Sequence, residues 1–133
     1  MRAARFDLRR LAAVYAGGML GALLRVGLAE AVQRGPGQWP WATFAVNMAG
    51  ALLIGFLVGR LRDHPEDSLR HPFLMTGITG TLTTFSALQL ELFELVDEGD
   101  LGLAAAYVGA TMVIGYAFVR LGLLLERRPE TAR

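Results

Sequence analysis

Four long apolar runs separated by short polar clusters account for almost the whole chain. They lie near residues 11–33, 39–60, 72–95 and 101–125, each close to the ~20 residues that carry an α-helix across a ~30 Å hydrocarbon core. Turn chemistry falls between them: Gly35-Pro36-Gly37, then Asp63-His64-Pro65-Glu66-Asp67, then Asp97-Glu98-Gly99-Asp100. Connections this short make neighbouring helices antiparallel. The pattern predicts an all-α membrane protein of four transmembrane helices, a single domain over residues 1–133. The first run lacks a small-residue cleavage pattern and leads directly into the second, so it reads as retained helix rather than a removed signal peptide.

The third run departs from the others. Residues 77–86 read Gly-Ile-Thr-Gly-Thr-Leu-Thr-Thr-Phe-Ser. Two glycines and four threonines weaken a helix. Non-helical backbone at membrane depth survives only when buried in protein or lining a watery cavity, so this span is expected to be interrupted at a working site.

Charge then orients the chain. All thirteen basic residues are arginines. Eleven of them precede the first span, lie between or at the edges of the second and third, or lie in or after the end of the fourth; Arg25 is inside the first span and Arg34 alone lies on the other side. The opposite loop is acidic, with Asp97, Glu98 and Asp100. The positive-inside rule places both termini in the cytoplasm, in a multi-pass protein of the cell membrane, and a bias this large predicts insertion in one direction. The net charge of +1 adds nothing to this.

Candidate chemistry is restricted to polar residues within the spans. Asn47 shares a narrow face with Thr43, Gly50, Ala51 and Ile54; its amide is either interhelical glue or a donor to an anion in transit. Arg25 stands about 21 Å up the first helix at ~1.5 Å per residue. It either snorkels to the interface or faces inward, past Gly18 and Gly21, and draws anions into a vestibule. Glu91, deep in the third span, needs a partner or water, and Arg25 is a candidate through tertiary contact. Thr83, Thr84, Ser86 and Thr111 add hydroxyls concentrated in and opposite the interrupted span; singly, each would back-bond to its own helix. Phe85 and Phe93 read by default as core or lipid-facing hydrophobes, and His64 and His71 as solvated. Small residues at Gly17 and Gly21, Gly18 and Ala22, Gly55 and Gly59, and four-residue spacing of Tyr107, Thr111 and Gly115 mark close-packing helix faces, from which an oligomer is expected.

Several functions are excluded. With no cysteine there is no disulfide, thiolate metal site or thiol nucleophile. No paired carboxylates, His-rich metal spacing, nucleophile with a base, or phosphate loop is present, so the chain is not read as an enzyme. Arginines at membrane edges without aromatic interleaving do not read as a nucleic-acid surface.

Three stretches together resemble one family, the Fluc/CrcB fluoride channels: Gly17-Gly18-Met-Leu-Gly21-Ala22-Leu-Leu-Arg25 in the first span, Thr43-Phe-Ala-Val46-Asn47-Met-Ala-Gly50 in the second, and Gly77-Ile-Thr-Gly80-Thr-Leu-Thr83-Thr84-Phe85-Ser86 in the third. Tyr107, Thr111 and Gly115 fit the fourth. The resemblance implies a four-helix subunit that dimerises antiparallel, with two pores along the dimer interface. It implies a structural, untransported Na+ ion on the backbone carbonyls of Gly80 and Thr83, a fluoride path along Asn47, Phe85, Ser86 and Thr111, and vestibule or pore-end roles for Arg25 and Glu91. Phe85 would present the positive rim of its ring to the anion. The implied activity is passive export of fluoride, a detoxification that needs no ATP.

Three residues depart from the family pattern: Thr81 stands where a second glycine is usual, Ala87 for a threonine, and Leu88 for a second phenylalanine. Leucine has no quadrupole to offer an anion, and each family pore draws its two phenylalanines from different subunits. With the one-sided arginines, this points to a heterodimer with an oppositely biased relative. A non-conducting structural partner subunit is the first alternative. A small multidrug transporter is the second, disfavoured because glycines and then Arg25 stand where such proteins carry a carboxylate.

Overall fold

The computed structural model describes residues 7–62 and 68–126, and these are helical with no strand among them. Helix α1 spans Leu8–Ala31 and α2 spans Trp41–Leu61. The third run gives two helices. In α3, a π-helical part, Pro72–Thr79, continues into a single α-turn, Gly80–Leu82, and α4 then spans Phe85–Asp97. Helix α5 spans Leu101–Glu126. The expected turn at residues 63–67, with His64, lies outside the described residues, as do Arg2, Arg5, Arg127, Arg128 and Arg133.

Local chemistry explains the ends. Helix α1 begins three residues before the expected start because Asp7 caps it, accepting from the Arg9 and Arg10 amides at 3.0 and 3.4 Å. Helix α4 ends in a Schellman turn: the Asp100 N–H reaches back to Leu95 O at 2.9 Å, with Gly99 at φ 84°. That left-handed position is open to glycine and strained for other residues.

Helices α1, α2 and α5 are each long and apolar enough to cross a membrane. The fourth crossing is the broken pair α3 and α4. Helix α1 packs on α3, and α2 packs on α5. Both contacts rest on glycine. A Cβ on Gly17 would collide with Phe73 O, and one on Gly77 would stand 2.9 Å from the Gly17 Cα. On the other pair, a Cβ on Gly55 would strike Val119 O, and one on Gly122 would strike Leu52 O. These crossings correct two expectations. Gly77 serves backbone contact with α1, not the interruption. Because Gly17, Gly21 and Gly55 are consumed inside the subunit, their spacing is no argument for an oligomer.

At the α4–α5 end, Leu95, Ala104 and Tyr107 are buried, with Trp39, Phe44, Leu88, Leu92 and Leu103 packed around them. Trp39 lies edge-on to Phe44 and Tyr107, with ring centroids 5.5 and 5.3 Å apart. Elsewhere α1 and α5 expose leucine, valine and methionine widely, as helices surrounded by lipid or protein do.

Candidate functional site

The break between α3 and α4 consists of two extended residues, Thr83 at φ −75°, ψ 151° and Thr84 at φ −147°, ψ 121°. Threonine chemistry closes both helix ends. The Thr83 hydroxyl donates back to Thr79 O at 3.1 Å, and the Thr84 hydroxyl accepts from the Ala87 amide at 3.2 Å as the N-cap of α4. Upstream, the Thr79 hydroxyl donates to Leu74 O, five residues back, at 2.9 Å. Hydroxyls and β-branching end the helix; the glycines lie inside it.

Asn47 holds the break from α2. Its Nδ2 donates to Thr84 O at 3.1 Å and its Oδ1 accepts from the Thr84 N–H at 2.8 Å. One amide thereby pairs both backbone groups of an extended residue, as a neighbouring strand would. Room for this comes from Gly50, where a Cβ would overlap the Thr83 methyl.

Arg25 faces inward. Its Nε donates to Thr81 O at 3.1 Å, so a cation caps a carbonyl in the last turn of α3, where the helix dipole favours it. Beside it the Thr81 hydroxyl lies 2.9 Å from both Gly18 O and Gly77 O, which share its single proton. Gly21 is required alongside, because a Cβ there would overlap Thr81 Oγ1. Arg25 is therefore not the partner of Glu91, contrary to the sequence expectation; the α3 carbonyl claims it.

Glu91 has two other partners. It accepts a short hydrogen bond from the Thr43 hydroxyl and a second, at 2.7 Å, from the Tyr107 hydroxyl. Three helices, α2, α4 and α5, thus meet on one carboxylate. The sequence reading missed both donors. Thr43 was within reach of it, since Thr43 and Asn47 are four apart on one face of α2; Tyr107 gave no sign beyond its spacing.

A cavity of about 380 Å³ opens beside the break, and Asn47, Thr83, Phe85, Leu88 and Thr111 are in its wall. The Thr111 hydroxyl is buried without a hydrogen-bond partner among the described residues. Phe85, the first residue of α4, is 70% exposed, so its ring is available to whatever occupies the cavity or the adjoining surface. Ser86 is outside that wall, exposed, with its hydroxyl 3.2 Å from the Thr84 hydroxyl. Thr83 is the first residue of the break, and Gly80 opens the α-turn before it. The Thr84 N–H, which would continue the ladder to Gly80 O, is committed to Asn47 instead. Asn47, Thr83, Phe85 and Thr111 come together in this way; Arg25 and Glu91 lie apart from them, Glu91 lining two other cavities with Arg34.

The family model described as CrcB-like protein, Camphor Resistance (CrcB), matches residues 12–123. The chain is 45% identical over 128 residues to a Mycobacterium bovis protein named Fluoride-specific ion channel FluC 1, covering 96% of this chain and 97% of that one. It is 43% identical over 131 residues to a Mycolicibacterium paratuberculosis protein of the same name, covering 98% and 99%. A Hyphomonas neptunium protein named Fluoride-specific ion channel FluC is 39% identical over 115 residues, covering 84% and 91%. These relatives are named as channels and not as enzymes, and with a matching fold and nearly full-length similarity the chain belongs to the CrcB family of multi-pass membrane proteins.

Proposed function

We propose that this chain is one subunit of a passive, fluoride-selective channel that lets fluoride out of the cytoplasm and so limits its toxicity. The observation that carries the reading is the break itself: a membrane helix interrupted at Thr83–Thr84, clamped by Asn47, and opening on a cavity lined by a Thr111 hydroxyl that has no hydrogen-bond partner among the described residues. Fluoride is small and strongly hydrated, so a selective path must replace water with donors at close range. Thr111, Ser86 and the second Nδ2–H of Asn47 are donors of that kind, and the exposed Phe85 adds the positive rim of its ring. The relatives' names supply the anion. Neutral hydrogen fluoride crosses lipid and dissociates inside. The membrane potential, worth ~2.3 kcal/mol per charge per 100 mV, then drives the anion outward without ATP.

Two further features belong to this reading. A structural Na+ ion fits Gly80 and Thr83, because Gly80 O has lost its ladder donor to Asn47 and carbonyl oxygens suit a hard cation. Bound there, the ion would supply fixed positive charge beside the anion path. The subunit also pairs with an oppositely oriented relative, both termini of this chain lying in the cytoplasm. Leu88 supports a heterodimer: it replaces an aromatic on the cavity wall, so pores built from two copies of this chain would each lack one ring. The one-sided arginines support it independently.

Reconstitution tests both levels. Liposomes loaded with fluoride and carrying this chain with an oppositely biased relative should empty rapidly after a potassium ionophore is added, with chloride retained. No fluoride release from either the pair or the single chain refutes the channel; rapid release from this chain alone, inserted both ways, refutes the heterodimer. A non-conducting structural subunit is favoured by one observation, that Asn47 is already bound to Thr84. In the pair, unchanged flux in both Asn47→Ala and Phe85→Leu would establish that role.

A further inference from the structure

At the end of the bundle where α1 turns into α2, Arg34 is the single basic side chain: the sequence carries no other arginine or lysine between residues 26 and 59, or between 71 and 119. It is surrounded by carboxylates. Its Nη2 donates to Glu94 at 2.8 Å and to Glu98 at 3.5 Å, and its Nη1 donates to Gln38 O at 3.3 Å. The side chain is only 15% exposed. That leaves the Nε–H and one Nη1–H of the five guanidinium donors without a partner among the described residues.

Two cavities meet at this arginine. One, of about 440 Å³, lies between the Gly35-Pro36 turn and α4, and Leu90, Glu94 and Glu98 are in its wall. The other, of about 370 Å³, lies between the end of α1 and the start of α2, and Val32, Trp41 and Thr43 are in its wall. Arg34 and Glu91 are the two residues common to both walls. Yet no ion pair joins them: Glu94 and Glu98 hold the guanidinium, and Glu91 takes its hydrogen bonds from Thr43 and Tyr107.

We infer that Arg34 is the anion-recruiting residue of this pore mouth, and that Glu94 and Glu98 attenuate it by competing for its guanidinium. The inference rests on the channel reading. An anion approaching this end meets Glu91, Glu94, Asp97, Glu98 and Asp100, a field that repels it; the donors of Arg34 are the one local offset, and they border both openings. A fixed charge at a low-dielectric cleft changes the arrival rate of a small ion by about 10-fold or more and does so less as salt rises.

The test measures fluoride flux in liposomes carrying the chain and its oppositely oriented relative, with fluoride supplied on the side that Arg34 faces, the outer side in the proposed orientation, against fluoride concentration, at low and high ionic strength. Arg34→Gln should lower flux about 10-fold at low fluoride and low salt, with recovery as fluoride rises, and should flatten the salt dependence. Arg34→Lys should retain most of the flux. Glu94→Gln with Glu98→Gln should raise flux at low salt. Unchanged flux in Arg34→Gln, or a loss equal at every fluoride concentration that Arg34→Lys does not rescue, overturns the inference and leaves the channel reading intact. A wild-type pair that moves no fluoride removes both.

Discussion

Asn47 and Thr84, thirty-seven residues apart, share two reciprocal hydrogen bonds of 3.1 and 2.8 Å between one side-chain amide and both backbone groups of one extended residue. The pairing fixes where the broken helix restarts. It also releases Gly80 O from its usual donor, so the same two bonds that stabilise the break shape the backbone beside it.

Removing that amide should therefore unfold the break before it affects anything else. Asn47→Ala leaves a half-buried N–H and C=O unmet, a loss of about 1–3 kcal/mol. Asn47→Asp should do no better, because a carboxylate oxygen would then face Thr84 O. Thermal unfolding in detergent should show both variants less stable than wild type, and faster hydrogen exchange at the Thr84 amide should localise the effect.

The carboxylate of Glu91 gives a test of coupling. Thr43→Val and Tyr107→Phe each remove one donor and leave the other. Removing both strips a half-buried carboxylate. The double variant should lose more stability than the two single losses added, with a coupling of about 0.5–3 kcal/mol. Additive losses in a double-mutant cycle would show that the two hydroxyls act independently.

Close helix crossings give a third expectation. Gly17→Val places a side chain against Phe73 O, which is backbone and cannot swing aside. Overpacking of this kind costs about 1–3 kcal/mol, and more where the backbone must move. Gly102→Ala, with nothing within 4 Å of the added carbon, is the control. The yield of monodisperse protein should fall for the first and hold for the second.

These residues also show what was legible in the sequence. The apolar runs fall on α1, α2, α5 and the broken α3–α4 pair, because burial in lipid demands long apolar stretches, and the density of hydroxyls located the break to within a few residues. The division of labour inside the third run was hidden. Gly77 and Thr83 look alike as helix weakeners, yet one touches α1 and the other turns the chain, and only the packing of α1 and α2 separates them. Partners were hidden for the same reason. Arg25 and Glu91 are complementary by charge alone, but the guanidinium is taken by a carbonyl of α3 and the carboxylate by hydroxyls of α2 and α5. Charge complementarity says nothing about which helix faces which.

Leu88 carries the last expectation. It is half-buried, on the wall of the cavity with Phe85 and against the Leu95, Ala104 and Tyr107 cluster. On the heterodimer reading, the pore that draws its second ring from this position has a leucine there and conducts poorly, while the other pore takes its ring from the relative. Leu88→Phe should then bring the weaker pore into use. The larger side chain has the cavity to enter, so its overpacking should stay within about 1–3 kcal/mol, and the ring edge supplies about 0.5–1.5 kcal/mol of favourable contact. Fluoride flux from the reconstituted pair should rise, by up to about twofold if the two pores become equal, with the concentration for half-maximal flux unchanged. The same substitution with Phe85→Leu in this chain should not show the full gain, since one ring is then lost as another is added. Equal flux in Leu88→Phe and wild type, at equal amounts of folded protein, would show that Leu88 does not limit a pore.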